Sequence, residues 1–281
     1  MSLPADGGPN IWWAEAVALG QAGAGDLILD LTELEMVDPL FLARLRGLID
    51  LNARAGRQIT ILPPKKDLTR KYLEFMRLGS DLPDNCDCEL EGLDVPGSSK
   101  ILIPIRRLSS PTDVEDLEQA LGDLYLAHFS GPLAKLAEAF TRTVGEISDN
   151  ATTHGKSSVG VSYVAANRYP KGCILAVGDL GIGIPAHMRK AFPELEDDSD
   201  AIRVATREGK SGTGDPQRGI GYQYVIDGLK NEHIATGELR VWSGRGRFRV
   251  QTLAGVQERR RAWSVDEETA GTWVRLDLAG Q

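Results

Sequence analysis

Apolar positions give the first reading of the chain. In DLILDLTEL, from Asp26, they crowd into a short run bounded by Gly25, the pattern of a buried strand. Asp38-Pro39 then supplies an N-cap and a proline at the first helical position, so a helix is predicted from there to about Ala55. Leu42, Leu45, Leu48 and Ile49 recur at steps of three and four and form its core face. Gly56 ends that helix, RQITILPP predicts the next strand, and KKDLTRKYLEFMRLG predicts a second amphipathic helix. Strand, helix, strand, helix at this spacing implies a small sheet with helices packed on one side. Residues 81–99, DLPDNCDCELEGLDVPGSS, are rich in Asp, Pro, Gly and Ser and predict a linker.

Beyond the linker, ILIPIRRL reads as a strand and SPTDVEDLEQALGDLYL as the start of a helix, with Asp113 and Glu115 suited to its dipole. AKLAEAFTRTVG is helical, and its period carries on into EISDNATTHG. Phe140, Val144, Ile147 and Ala151 make an apolar face there, while Glu146, Asp149, Asn150, Thr153 and His154 gather on the other. Strands follow in VGVSYVAA and in CILAVGDLGIGIP, the latter ending at Asp179 and a glycine-rich turn. In GKSGTGDPQRGIGYQYVIDGL, Gly219 and Gly221 precede a helix whose free N–H groups favour phosphate, and GTWVRLDL is a strand led by Gly271-Thr272. LRVWSGRGRFRV predicts a hairpin with Arg245, Arg247 and Arg249 on a solvated basic face, and Trp242, Trp263 and Trp273 are expected in core or edge packing.

Composition narrows the classes. A chain of 281 residues is long for one compact domain and comfortable for two. A net charge of −8 argues against a dedicated nucleic-acid binder. The three cysteines, Cys86, Cys88 and Cys173, make no disulfide framework, and Cys86-Asp-Cys88 lacks a second Cys/His pair at zinc spacing. MSLPADGGPN has no basic lead and no apolar run reaches membrane-spanning length, so the expected setting is the cytoplasm, with no membrane partner. GKSG at Gly209 is not the end of a Walker A loop, because Val204 stands where that motif needs glycine.

A carboxylate fixed at a strand end, as Asp179 is, can accept a hydrogen bond from an exocyclic amine, and the flanking Gly181 and Gly183 let a ligand approach the backbone closely. The order of these stretches resembles the Bergerat-fold (GHKL) ATP-binding domain shared by type II topoisomerases, heat-shock chaperones, histidine kinases and anti-sigma-factor serine kinases. Glu146, Asn150, Ala151, His154 and Gly155 match its N-box, and Asp179, Gly181 and Gly183 its Asp-x-Gly-x-Gly box. Gly219 and Gly221 match the second glycine box, and Gly271 and Thr272 the closing Gly-Thr strand. The resemblance implies ATP and Mg²⁺ as cofactors, with Asn150 on the metal and Glu146 orienting and deprotonating the group that attacks the γ-phosphate. It places Asp179 on the adenine amine with Thr272 in support, His154 near the phosphates or lid, and Gly219 to Tyr222 around a phosphate. Residues 185–218 are expected to hold the nucleotide lid.

The N-terminal stretches LILDLTEL, MVDPL and AGRQITILPP resemble the STAS domains of anti-anti-sigma factors. Phosphorylation-switched members carry a serine after the aspartate of that turn, where this chain has Pro39. The fold class expected is therefore α/β. A STAS-like domain over 1–80 precedes a linker over 81–99, and a two-layer α/β sandwich of the ATP-binding type covers 100–281. The function implied is Mg·ATP-dependent regulation, either as an ATPase or protein-serine kinase or as an ATP-gated binding module with little turnover. Expected partners are ATP or ADP and a protein regulator of STAS or sigma type, with a homodimer left open.

Overall fold

The computed structural model describes residues 25–93, 101–110, 112–117, 119–120, 145, 161–169, 172–207, 221–230, 234–254 and 257–280. Within them the protein is mixed α/β, with a small parallel sheet, a larger antiparallel sheet and helices packed on both.

The N-terminal part alternates strand and helix as its sequence predicts, through β1 (Leu27–Asp30), α1 (Pro39–Arg54), β2 (Ile59–Leu62) and α2 (Asp67–Phe75), and then adds a third strand, β3 (Cys86–Cys88). The strands pair in parallel in the order β1-β2-β3. Asp38 caps α1 by accepting from Phe41 N at 2.8 Å, and Pro39 takes the first helical position, where its missing N–H costs nothing. The stretch predicted as a linker departs from expectation in its first half. There β3 hydrogen-bonds to β2 and Leu90 is buried in the core, because three residues suffice to extend a parallel edge.

The second sheet is antiparallel in the order β4-β5-β6-β8-β7, built from β4 (Ile101–Leu108), β5 (Ser162–Tyr169), β6 (Gly172–Asp179), β7 (Ile234–Leu253) and β8 (Gln257–Gly280). A straight strand as long as β7 would span roughly 65 Å, yet Ala254 N donates to Ala235 O at 2.8 Å. The chain therefore doubles back at the register shifts around Gly244. Arg247, expected in solvent, is buried there and donates to the carbonyls of Gly244, Gly246 and Glu267, so the hairpin's basic face is partly internal.

Alternation along the strands gives the sheet two buried faces. Val164, Val177, Val241 and Val274 meet α3 (Gly183–Met188), α4 (Asp198–Ala205) and α5 (Gly221–Gly228) in one core cluster. Tyr163, Ala165, Ala176, Trp242 and Trp273 face the opposite way and share a cluster with Leu42, Leu45, Leu48 and Ile49 of α1 and with Ile59 and Ile61 of β2. Helix α1 thus lies between the two sheets. Its sequence predicts a single core face, but Arg44, Arg46, Asp50 and Asn52 are buried as well. Buried charges need partners. Asp50 accepts from Tyr163 Oη at 3.0 Å and from Arg46 Nε at 3.2 Å, and Arg46 also donates to the carbonyl of Ser80 at 2.7 Å. At the helix start, Asp38 forms an ion pair with Arg275 of β8.

Helices α3 and α4 also revise the expected lid. Residues 185–207 contribute Met188, Ala201, Ile202 and Ala205 to the core, and Arg189 pairs with Asp198 at 2.7 Å. This larger part is packed scaffold, and the remainder of the segment, 208–218, lies outside the described residues.

Candidate functional site

The sequence-predicted site residues divide by position. Asp179, Gly181, Gly183, Gly221, Tyr222 and Thr272 are described, whereas Glu146, Asn150, His154 and Gly219 lie outside the described residues. The described ones that come together do so at the end of β6.

Strand register builds the site. Ser162 of β5 pairs with Asp179 of β6, Asp179 with Thr272 of β8, and Thr272 with Ser243 of β7. Residues opposed in antiparallel strands point to the same face, so these four polar side chains form one row across four strands, on the side covered by α3 to α5. All are buried: Ser162 and Ser243 at 0%, Asp179 at 4% and Thr272 at 5% exposure. A buried polar row at the end of an apolar sheet costs free energy unless each group is satisfied, which makes this row a candidate binding site.

The hydrogen bonds fix what the row can offer. Ser243 Oγ donates to Gly271 O at 2.8 Å and accepts from Ile184 N at 2.8 Å, with Thr272 Oγ1 at 3.1 Å. A hydroxyl has one donor and two acceptor sites. With its proton on Gly271, Ser243 takes the proton of Thr272 and leaves the Thr272 oxygen as an acceptor. Asp179 Oδ1 accepts from Gly181 N, closing the turn after β6, and among the described residues Oδ2 makes no hydrogen bond. Burial pushes the Asp179 carboxyl up to about 7, against the opposing pull of the Gly181 N–H. Once ionised, Asp179 and Thr272 present two adjacent acceptors, an edge that suits a donor such as an exocyclic amine.

Glycine makes the row possible where backbones crowd. Gly271 adopts φ +72°, and a Cβ there would stand 1.9 Å from Asp179 O. Gly183, at φ +77°, would bring a Cβ within 2.7 Å of Ser243 Oγ. The two glycines let the turn after β6 close on β8 at Gly271 and on β7 at Ser243. Gly221 opens α5, and the Tyr222 side chain is buried in the core cluster.

Two members of the row, Ser162 and Ser243, are not predicted from the sequence. Neither belongs to a recognisable motif. Only the register that sets them beside Asp179 and Thr272 distinguishes them from other strand serines.

Elsewhere, Cys86 and Cys88 pack partly buried against the core, and burial raises both thiols, Cys86 to about 11, which disfavours the thiolate a metal would need. Among the described residues no group of three or more His, Cys, Asp or Glu side chains could hold a metal ion, and no helix is long and apolar enough to cross a membrane.

No family model matches the chain, and no curated protein does. Among solved structures, the B-subunit of DNA gyrase from Myxococcus xanthus aligns at a TM-score of 0.26 and 12% identity, covering 60% of this chain and 43% of that one. The aligned part is less than half of the gyrase subunit, and a likeness at this level decides nothing about the site.

Proposed function

We propose that the protein binds an adenine nucleotide with Mg²⁺ in a Bergerat-type (GHKL) site and uses it to regulate a protein partner. The observation that carries this reading is the buried row at the end of β6, in which Asp179 and Thr272 offer paired acceptors beside glycines that admit no side chain. In the reading, ionised Asp179 accepts from the adenine amine, Thr272 supports the same edge, and Gly181 and Gly183 shape the turn beneath the base. The phosphate end falls to Glu146, Asn150, His154 and Gly219, assigned by motif alone. Mg²⁺ on Asn150 would neutralise phosphate charge, and Glu146 would orient and deprotonate the attacking water or hydroxyl.

Whether the outcome is phosphoryl transfer or gating depends on Glu146. A second reading, an ATP-gated binding module with little turnover, is favoured by the placement of α1 against the back of the same sheet, which gives a ligand a mechanical route to the N-terminal part. That part is read as a STAS-like scaffold that is not switched by phosphorylation at position 39. Pro39 has no hydroxyl, and Asp38 is held by the α1 N-terminus and by Arg275.

The test is Mg²⁺-dependent ATP binding and turnover in the wild type, Glu146→Ala and Asn150→Ala. Glu146→Ala is expected to keep affinity within about threefold while turnover falls at least ~100-fold, the scale of a lost general base. Asn150→Ala is expected to lose the Mg²⁺ dependence of binding. Binding without turnover in the wild type selects the gated module. Absence of binding removes both readings.

A further inference from the structure

The residues behind the polar row form a second row that faces the other way. Tyr163 pairs with Gly178, Gly178 with Trp273, and Trp273 with Trp242. Gly178 leaves room for the indole, since a Cβ there would lie 2.3 Å from Trp273 Cε3. Over its gap Tyr163 and Trp273 stack, with centroids 6.5 Å apart and planes at 15°.

Helix α1 crosses this second row at Gly47. A Cβ on Gly47 would stand 3.2 Å from Tyr163 Cε2, 3.3 Å from Leu180 Cδ1 and 3.3 Å from Trp273 Cη2. One turn earlier, Arg44 lays its guanidinium over Trp242 at 5.2 Å and over Trp273 at 5.7 Å. Each side chain touched is the chain neighbour of a member of the polar row: Tyr163 follows Ser162, Leu180 follows Asp179, Trp273 follows Thr272, and Trp242 precedes Ser243. One short stretch of α1 therefore backs all four site residues at once. A glycine inside a helix is otherwise unfavourable, and here it sets how closely helix and sheet approach.

We propose that α1 is the positioning element of the candidate site, with Gly47 and Arg44 holding the Ser162–Asp179–Thr272–Ser243 row in register from behind. The conformation of the N-terminal part then sets ligand affinity, and ligand binding in turn stabilises α1, since coupling between two sites is reciprocal. Packed interiors transmit such a displacement because they have no slack to absorb it. The proposal rests on the reading that the row binds an adenine nucleotide.

Gly47→Ala tests it, with Mg·ADP as the probe. Alanine is the better helix former, and this gain offsets the few tenths of an ångström by which three ring and methyl neighbours must yield. A purely structural role predicts unchanged affinity in a folded variant. The positioning role predicts Mg·ADP affinity at least ~5-fold weaker than wild type while the thermal midpoint stays within about 3 °C. Arg54→Ala, on the exposed end of α1, is expected to bind as wild type does. A second measurement needs no variant: amide exchange across residues 40–54 of the wild type is expected to slow at least ~5-fold in saturating Mg·ADP. Wild-type affinity in a folded Gly47→Ala protein, or α1 exchange unchanged by ligand, overturns the proposal. Failure of the wild type itself to bind Mg·ADP overturns the nucleotide reading on which it rests, and the wild-type titration reveals this before any variant is made.

Discussion

Replacing Asp179 with Asn is expected to stabilise the ligand-free protein above neutral pH while removing its affinity for adenine nucleotides. The buried carboxyl titrates at about 7 instead of the ordinary 3.8. In the unfolded chain it is ionised above roughly pH 4, whereas the folded protein keeps the proton up to about 7, so the native state binds more protons across that window. Stability supplied by the protonated carboxyl is therefore lost as pH rises from about 4 to 7, and the full cost persists above it. Ionising a carboxyl held this far above its ordinary range costs the fold roughly 4 kcal/mol, and on the order of 2–4 kcal/mol is the gain expected for Asn near pH 8. The gain shrinks to about 1–2 kcal/mol near pH 5. Urea unfolding of both proteins at the two pH values checks this, and a difference independent of pH would exclude burial of an ionisable carboxyl as its source. The binding loss has a separate origin. The amide oxygen takes over the bond from Gly181 N, which turns the NH₂ toward the ligand, donor against donor. An affinity loss of at least ~100-fold is expected from such a mismatch.

Gly271→Ala is expected to be the most damaging single methyl in the described fold. Its Cβ would meet Asp179 O at 1.9 Å, Asp179 C at 2.6 Å and Leu180 Cα at 2.7 Å, all backbone atoms that no rotamer change can clear. The residue also sits at φ +72°, where a side chain is strained in any surroundings. Relief requires β8 to separate from the end of β6, which breaks the Asp179–Thr272 pairing. A loss above ~3 kcal/mol, with a fall of roughly 10 °C in thermal midpoint, is expected. Gly56→Ala is the control. Gly56 has a similar φ of +78° but nothing within 4 Å of the added Cβ, so only the backbone term of about 1–2 kcal/mol applies. Equal losses in the two variants would show that φ, and not the meeting of two backbones at the site, makes Gly271 indispensable.

What the sequence reveals in advance is what depends on neighbours in the chain. Asp38-Pro39 predicts the start of α1 because a cap and a first-turn proline act within one helical turn. Asp179 with its glycines predicts a strand end and turn for the same reason. The rest depends on pairing between distant segments. Cys86–Cys88 lies in a stretch whose composition signals a linker, and only its bonds to β2 make it a strand. Arg247 carries every local sign of a solvated hairpin residue, yet three carbonyls of a chain folded back on itself enclose it. Ser162 and Ser243 join the site through register alone. The burial of α1 on every side, including Arg44 and Asp50, depends on a second sheet that its own periodicity does not encode.

The most direct test of the account is a calorimetric titration of the full chain with ATP and with GTP in the presence of Mg²⁺, above neutral pH where Asp179 is ionised. In the proposed site the acceptor pair of Asp179 and Thr272 meets position 6 of the base, where adenine offers an amine and guanine a carbonyl. Saturable ATP binding, with GTP at least ~100-fold weaker, is the predicted result. Equal affinities, or binding of neither, would contradict the assignment of the buried row to adenine.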